Sequence, residues 1–215
     1  EIKQVILSLG LELDPDEWDE TDREELAREI RKRTKPMVIA ANKMDTPEAQ
    51  ANYEEIVDDP EYEHLTIVSA SAHAEKALKN AAEQGVVDYD AGDEDFAIEG
   101  DVSAEQEQGL EQIREFVTEY DGTGVQQALE TALFDVLDLV AVFPGSANGS
   151  KSEKGVFRDC FLLPEGSTAE DFAYHLHSDI GDGFLHAIDC HSQRQIGADS
   201  VLDHRSVVEI VSTNQ

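Results

Sequence analysis

The chain has 215 residues, a mass of 23.7 kDa and a formal net charge of −32, from 48 acidic and 16 basic residues. Hydrophobic residues make up 40% of it, which is enough for a modest core and excludes wholesale disorder. The sequence has no apolar run long enough to span a bilayer and no basic, apolar leader, and its two cysteines exclude a disulfide scaffold. We therefore expect a cytoplasmic protein with no membrane partner.

The first part of the chain alternates predicted helices and strands. The predicted elements are, in chain order, a helix over 22–33, a strand over 37–41, a helix over 47–57, a strand over 65–68 and a helix capped by Ser71. Thr21 is the expected N-cap of the first helix, with Glu24 completing a capping box. Continuous apolar runs such as 37–41 are typical of buried parallel strands. This alternation predicts an α/β parallel sheet.

The remainder of the chain divides into two parts of different character. Residues 85–103 are acidic and loop-like, with Tyr89 and Phe96 as expected anchors. The further predicted elements are amphipathic helices over 104–120 and 124–140, a loop over 145–155, strands over 156–163, 184–189 and 207–211, and a helix over 168–177.

Charge is distributed unevenly along the chain. Residues 151–215 contain 5 basic and 11 acidic residues, a net charge of −6, and the preceding 150 residues contain the other −26. This asymmetry favours a domain boundary near residue 140, which gives domains over 1–139 and 140–215.

The strongest chemical signal is the tetrapeptide Asn42-Lys43-Met44-Asp45, which directly follows the first predicted strand. It matches Asn-Lys-x-Asp, the guanine-reading motif of GTPases. A carboxylate at Asp45 can accept two parallel hydrogen bonds from the ring N–H and the exocyclic amine of guanine, a pair of donors that adenine lacks. Asn42 can contact the far edge of the base, and Lys43 can lay its methylene stem over the purine face.

A second signal follows the next predicted strand. In GTPases, a Ser-Ala pair at this place presents the backbone N–H of the alanine to the guanine carbonyl oxygen. Both Ser69-Ala70 and Ser71-Ala72 fit this pattern, and we favour Ser71-Ala72 because it immediately precedes a helix. The predicted nucleotide site therefore consists of Asn42, Lys43, Asp45, Ser71 and Ala72.

The segments 35–45, 69–96 and 122–134 together resemble the archaeal branch of the YchF/Obg-related GTPases. Residues 162–212 resemble a TGS domain through Gly166-Ser167-Thr168, Asp171-Phe172-Ala173, the run 177–181, the run 184–187 and the run 207–210. The resemblance implies the C-terminal part of a P-loop GTPase sheet, followed by a β-grasp, ubiquitin-like TGS domain. It also implies association with a ribosome or RNA. Because Asp45 is present, we expect GTP and GDP to be preferred over ATP.

The phosphate-binding motif of the family, Gly-x-x-x-x-Gly-Lys-[Ser/Thr], does not occur in this sequence. Without it there is no cradle for phosphates and no magnesium ligand, and no catalytic residue is assigned. We therefore expect a fragment of a translation-associated GTPase: inactive alone, with Mg²⁺ bound only when the missing N-terminal part is present. The alternative is a standalone TGS interaction module without hydrolysis.

The net charge also has two interpretations. Acidic residues on nearly every expected solvent face favour adaptation to molar salt, as in a halophilic cytoplasm, where a Debye length of about 3 Å screens the repulsion. The other interpretation is an acidic adaptor for a basic partner.

The C-terminal histidines are weaker candidates for a site. There are five, and they occur near Cys160 and Cys190: His175, His177, His186, His191 and His204. Their spacing gives no recognised metal motif, so we expect no metal site. Cys160 is expected to be an inert core residue in an apolar strand.

Overall fold

The computed structural model describes residues 2–145, 157 and 159–213. It divides into two compact units, Glu1–Ala132 and Leu133–Gln215, called here the N-terminal and C-terminal units. This division falls before the domain boundary that the sequence predicts between residues 139 and 140, and that boundary remains a prediction. Most of the predicted loop at 145–155, and residues 156 and 158 of the predicted strand, lie outside the described residues.

The N-terminal unit is mainly helical and contains two small sheets. Its elements are α1 (Ile2–Ser8), α2 (Glu20–Thr34), β1 (Val38–Ala41), α3 (Pro47–Asp58), β2 (Thr66–Ser69), α4 (Ala72–Glu83), β3 (Val87–Asp88), β4 (Ala97–Ile98), α5 (Ala104–Glu119) and α6 (Val125–Glu130). Strands β3 and β4 pair antiparallel within the acidic connection. Tyr89 and Phe96 in that connection are buried, which confirms them as anchors.

Strands β1 and β2 pair in parallel, as predicted, with Ala41 opposite Ser69 at their carboxyl ends. Strand β1 is less buried than predicted: Ile39 is 38% exposed and Ala40 is exposed as well. Within the described residues these strands form a two-stranded sheet, so β1 is paired along only one edge. Burial on both faces, which a continuous apolar run predicts, requires layers of structure on each side.

Two local predictions for this unit were wrong in detail. Helix α2 is capped by Asp19, whose capping box partner is Asp22, rather than by Thr21 with Glu24. The chain satisfies its first orphan N–H groups two residues earlier because Asp19 adopts the extended backbone that an N-cap requires. The predicted helix over 124–140 is also too long, since α6 ends at Glu130 and Thr131–Val136 forms a π-helical segment.

The main core of the N-terminal unit lies between α4, α5 and the β3–β4 connection. Met44 and Leu78 are fully buried there, together with Phe116 and Val117 from α5. Met44 belongs to the loop after β1, so burying this one side chain fixes the loop against the helices.

The C-terminal unit is a five-stranded mixed sheet with one main helix packed on it. Its elements are β5 (Leu139–Pro144), β6 (Phe161–Pro164), α7 (Ala169–Leu176), α8 (Ser178–Asp182), β7 (Phe184–Asp189), β8 (Arg194–Ile196) and β9 (Ser206–Ser212). The strand order is β6-β5-β9-β7-β8, with β5 and β9 parallel and the other pairs antiparallel. Phe172 of α7 is fully buried against this sheet. The arrangement confirms the predicted fold class.

Three features of the C-terminal unit differ from the sequence predictions. The end of the predicted helix over 124–140 is instead β5, and β8 was not predicted. The apolar run at 139–143 becomes a strand because it pairs with β6 and β9, which lie far along the chain. Cys160 is exposed rather than buried, since it precedes the first residue of β6.

Within the described residues, no helix combines the length and the apolar character needed to cross a membrane.

Candidate functional site

The candidate site lies at the carboxyl ends of β1 and β2. Because Ala41 and Ser69 are opposite each other in a parallel pair, the loops that follow them leave the sheet at the same edge. Ligand sites of open α/β sheets lie at this edge. The structure brings all five predicted site residues together here, in the loop 42–46 and at the start of α4.

The first loop is shaped by one buried and three exposed side chains. Met44 is fully buried and its N–H donates to the Ala70 carbonyl at 3.1 Å, whereas Asn42, Lys43 and Asp45 are exposed. Lys43 has a left-handed backbone with φ of +70°. This conformation is uncommon outside glycine, so the surrounding hydrogen bonds must hold it.

Asn42 connects the two loops through its side-chain oxygen. Its Oδ1 accepts the Lys43 N–H at 2.8 Å and the Ala72 N–H at 3.0 Å. The amide therefore stabilises the left-handed turn in its own loop and reaches the first residue of α4 in the other.

Ser71 makes the closest contact between the loops. Its side chain is fully buried, and its Oγ donates to Asp45 Oδ1 at 2.6 Å while accepting the Ala74 N–H at 3.0 Å as the N-cap of α4. One hydroxyl thus satisfies a helix end and orients an exposed carboxylate. Each oxygen of that carboxylate has two lone pairs, so Asp45 keeps capacity for further donors.

The two alternative Ser-Ala pairs have different environments. Ala70 is buried and its N–H donates to the Ala41 carbonyl at 2.9 Å, so it serves the sheet edge. Ser71 contacts Asp45, and Ala72 is exposed beside Asn42. This geometry favours Ser71-Ala72, and its role in reading a base stays a prediction.

A third segment, Gly122-Thr123-Gly124, completes the site and was missed at the sequence level. The Thr123 carbonyl accepts the Ser71 N–H at 2.9 Å. Gly124 has φ of +75°, and a Cβ there would lie 1.8 Å from the Ser69 carbonyl oxygen, so no other residue fits. The Gly-x-Gly spacing was the available signal, since glycine marks close backbone approach.

Beneath Ser71 lies a buried polar cluster centred on Glu75, which sequence reasoning also missed. The Tyr89 hydroxyl and the Thr123 Oγ1 each donate to Glu75 Oε2 at 2.6 Å, and the Lys79 ammonium lies 2.9 Å from Oε1. Glu75 and Thr123 are 6% and 2% exposed. The three donors compensate the burial of the carboxylate.

The contacts within this cluster shift the pKa values of Glu75 and Tyr89 in opposite directions. Burial raises the pKa of Glu75, but the hydrogen bonds from Thr123, Tyr89 and Lys79 outweigh it and hold the pKa below its ordinary value. Burial and the bond to Glu75 raise the pKa of Tyr89 to about 12. At neutral pH, therefore, the carboxylate is charged and the phenol is neutral.

A cavity of about 440 Å³ lies beside Asp45, between α4 and α5. Its polar lining residues are Asp45, His73, Asn80, Gln84, Gln106 and Gln112. Of the five predicted base-reading residues, Asp45 is the one that lines this cavity, and most of the other lining residues belong to α4 and α5.

The C-terminal histidines have structural contacts of their own. His204 Nδ1 accepts the Ala141 N–H at 3.2 Å, His177 Nδ1 accepts the Asp179 N–H at 3.1 Å, and His175 packs edge-on against Phe161. Among the described residues, no three His, Cys, Asp or Glu side chains are grouped so that they could hold a metal ion.

Comparison with known proteins separates the chain into two matched regions. Residues 40–146 match the model of the Obg-like GTPase YGR210-like, G4 motif-containing domain, and residues 148–212 match the TGS domain. The first match covers all the site residues described above.

Curated relatives come from an archaeon and a yeast. A GTP-binding protein of Methanocaldococcus jannaschii, described as uncharacterized, is 38% identical over 200 residues, which cover 92% of this chain and 50% of that protein. A similarly described GTP-binding protein of Schizosaccharomyces pombe is 34% identical over 180 residues, covering 77% of this chain and 43% of that protein. The chain spans about half the length of the curated relatives it matches.

Among solved structures, the crystal structure of a GTP binding protein from Pyrococcus horikoshii is similar over 99% of this chain and 56% of that chain. Its TM-score is 0.65 and its sequence identity is 32%. The chain therefore belongs to the Obg-like GTPase family, with a YGR210-like, G4 motif-containing domain followed by a TGS domain.

Proposed function

We propose that this chain is the guanine-reading part of a GTP-binding protein. Asn42, Lys43, Asp45, Ser71 and Ala72 form the base site. The observation that carries the proposal is the 2.6 Å hydrogen bond from Ser71 Oγ to Asp45 Oδ1, which fixes an exposed carboxylate at the carboxyl ends of β1 and β2. The names of the relatives, which are GTP-binding proteins, support the same ligand.

The chemistry of selection follows from hydrogen-bond donors and acceptors. Asp45 accepts the ring N–H and the exocyclic amine of guanine, two adjacent donors that adenine does not offer. The backbone N–H of Ala72 donates to Asn42 Oδ1 in this structure. In the proposed complex it also donates to the guanine carbonyl oxygen, and it repels the amine of adenine. A wrong base leaves these polar groups unpaired, which is why such a site discriminates strongly.

Lys43 and Asn42 have supporting roles in this proposal. The left-handed backbone of Lys43 keeps its side chain at the exposed rim of the loop, where the methylene stem can cover one face of the base. Asn42 links the loop to Ala72 and so keeps the two recognition segments at a fixed spacing.

We further propose that the intact protein hydrolyses GTP and that this chain is a fragment of it. Hydrolysis in P-loop GTPases needs a phosphate loop and Mg²⁺. The motif for that loop does not occur in this sequence, and the relatives are about twice as long. The proposed division of labour is therefore base reading within 1–139 and phosphate chemistry in a segment that this sequence does not include.

The TGS domain, proposed to span 140–215, is assigned as the docking module for a ribosome or RNA, which would make the protein translation-associated. Only the family resemblance supports this assignment. We place the protein in a cytoplasm with high salt, because the net charge of −32 suits an environment in which the repulsion between acidic side chains is screened.

The test of base reading is Asp45→Asn in the intact protein. Replacing the carboxylate removes the acceptor pair, so GDP affinity should fall roughly tenfold to 100-fold while xanthosine diphosphate should bind better than before. Affinities are measured by titration with fluorescent nucleotide analogues. Asp58→Asn is the matched control, since Asp58 is an exposed aspartate at the end of α3, outside the site. An unchanged preference for GDP in Asp45→Asn would overturn the proposed function.

A further inference from the structure

The cluster around Glu75 lies outside the five base-reading residues but contacts one of them. Glu75 is on the first turn of α4, four residues after Ser71, and Ser71 accepts a backbone bond from Glu75 N–H at 3.1 Å. Thr123 is 48 residues from Glu75 along the chain, and their side chains are nevertheless hydrogen-bonded at 2.6 Å. Two segments that are far apart in the sequence therefore meet next to Ser71, one of the base-reading residues.

Both the side-chain hydroxyl and the backbone carbonyl of Thr123 make hydrogen bonds in this cluster. Its hydroxyl donates to Glu75, and its carbonyl accepts the Ser71 N–H at 2.9 Å. The position of Thr123 is in turn fixed by Gly124, which packs against the Ser69 carbonyl too closely for any side chain. A continuous chain of bonds thus runs from Glu75 through Thr123 and Ser71 to Asp45.

A purely structural role does not require a buried carboxylate at this position. An apolar group of similar shape is often as good in a core as a buried carboxylate, and a buried charge is favourable only when its partners are complete. Here the partners are complete, because Tyr89, Thr123 and Lys79 all bind the carboxylate. Such a network defines one arrangement of the segments that it joins.

We propose that Glu75 and Thr123 are positioning residues for guanine recognition: they hold Ser71 so that Asp45 presents its carboxylate in the orientation that reads the base. The inference rests on the proposed function of Asp45. Because their side chains are buried, we assign them a role that acts through Ser71.

The main test is Thr123→Val in the intact protein, with Thr123→Ser as the conservative variant. Valine keeps the shape and the backbone carbonyl but removes the hydroxyl, whereas serine retains it. The readout is the ratio of affinities for GDP and inosine diphosphate, which lacks the exocyclic amine that Asp45 reads. We expect Thr123→Val to lower this ratio about three- to tenfold and Thr123→Ser to stay within about twofold of wild type.

A second variant keeps the test decisive if Thr123→Val does not fold. Tyr89→Phe removes one of the hydroxyls that hold Glu75 and should lower the same ratio, by about two- to fivefold. Tyr62→Phe is its control, because Tyr62 is 36% exposed and lies outside the cluster. Urea unfolding of every variant measures stability in parallel.

The outcomes separate the two proposals. If Asp45→Asn lowers the ratio but Thr123→Val and Tyr89→Phe reduce only stability, the positioning role is wrong and base reading stands. If Asp45→Asn leaves the ratio unchanged, base reading fails and the positioning role fails with it. A lowered ratio in Thr123→Val that Thr123→Ser restores supports both.

Discussion

The strand ends of the N-terminal unit and the sheet of the C-terminal unit bury different kinds of side chain. Ser71, Glu75 and Thr123 are buried polar residues connected by hydrogen bonds beside β1 and β2. The C-terminal sheet is filled by apolar groups such as Phe172 and Val208. An apolar core is stable when side chains of suitable shape fill its volume, whereas a buried polar cluster is stable only when every donor and acceptor is paired. The two regions should therefore respond differently to substitution.

The largest effect is expected at Gly124, where the polar cluster depends on close backbone contact. Gly124→Ala places a methyl group 1.8 Å from the Ser69 carbonyl, on a residue with φ of +75°. We expect a loss of more than about 4 kcal/mol in the free energy of unfolding, or no folded N-terminal unit, measured by urea denaturation. Gly109→Ala is the control: Gly109 has open space around it in α5, and the helix should gain about 0.5–1 kcal/mol. A Gly124→Ala variant as stable as wild type would contradict the contact.

The next largest effect is expected in the apolar core of the C-terminal unit. Phe172→Ala removes a fully buried ring and should cost about 3–5 kcal/mol, because the surrounding side chains cannot fill the cavity. Leu185→Ala, at a position that is 58% exposed, should change the free energy by less than about 0.5 kcal/mol. Thermal unfolding of both variants checks this contrast, and equal losses would mean that α7 does not cover the sheet.

A smaller effect that depends on pH should distinguish the polar cluster from the apolar core. Because the folded pKa of Glu75 lies below its ordinary value of 4.5, its charged form contributes stability above that value and loses it as the pH falls through the lower folded pKa. The difference in unfolding free energy between wild type and Glu75→Gln should therefore shrink between about pH 5 and pH 2. Urea titrations at several pH values measure it, with Glu83→Gln as an exposed control on α4.

The pH dependence of the Glu75→Gln variant also shows whether the charge of Glu75 contributes to stability. A difference between wild type and Glu75→Gln that stays constant over the acidic range would show that the carboxylate contributes no charge-dependent stability. The hydrogen bonds from Tyr89 and Thr123 would then be matched by those to the glutamine amide.

The local sequence was sufficient to predict the loops that carry the base-reading motif. Asn42 to Asp45 follow an apolar run, and Ser71 precedes a helical pattern, so both loops could be placed from neighbouring residues. The same reasoning could not find Glu75 and Thr123, because their contact joins residues 48 positions apart. Nothing in the sequence around Glu75 distinguishes it from the many acidic residues on exposed helix faces.

The same limit explains the error at 124–140. An apolar stripe with helical spacing continues to Val140, but Val140 and its neighbour Leu139 pair with β6 in a sheet. Pairing with partners more than 20 residues away outweighed the local periodicity, as tertiary contacts generally do. Cys160 was misplaced for a related reason, since the strand that follows it begins one residue later.

Glu75 also joins the two ends of a long excursion of the chain. Tyr89 stands at the start of the segment 90–122 and Thr123 at its end, and both donate to the same oxygen. The carboxylate thus acts as a noncovalent cross-link that closes this loop. Closing a loop costs only about 0.6 kcal/mol more for each doubling of its length. Insertions in the exposed turns of 90–122 should therefore be tolerated, while insertions between Thr123 and α6 should not.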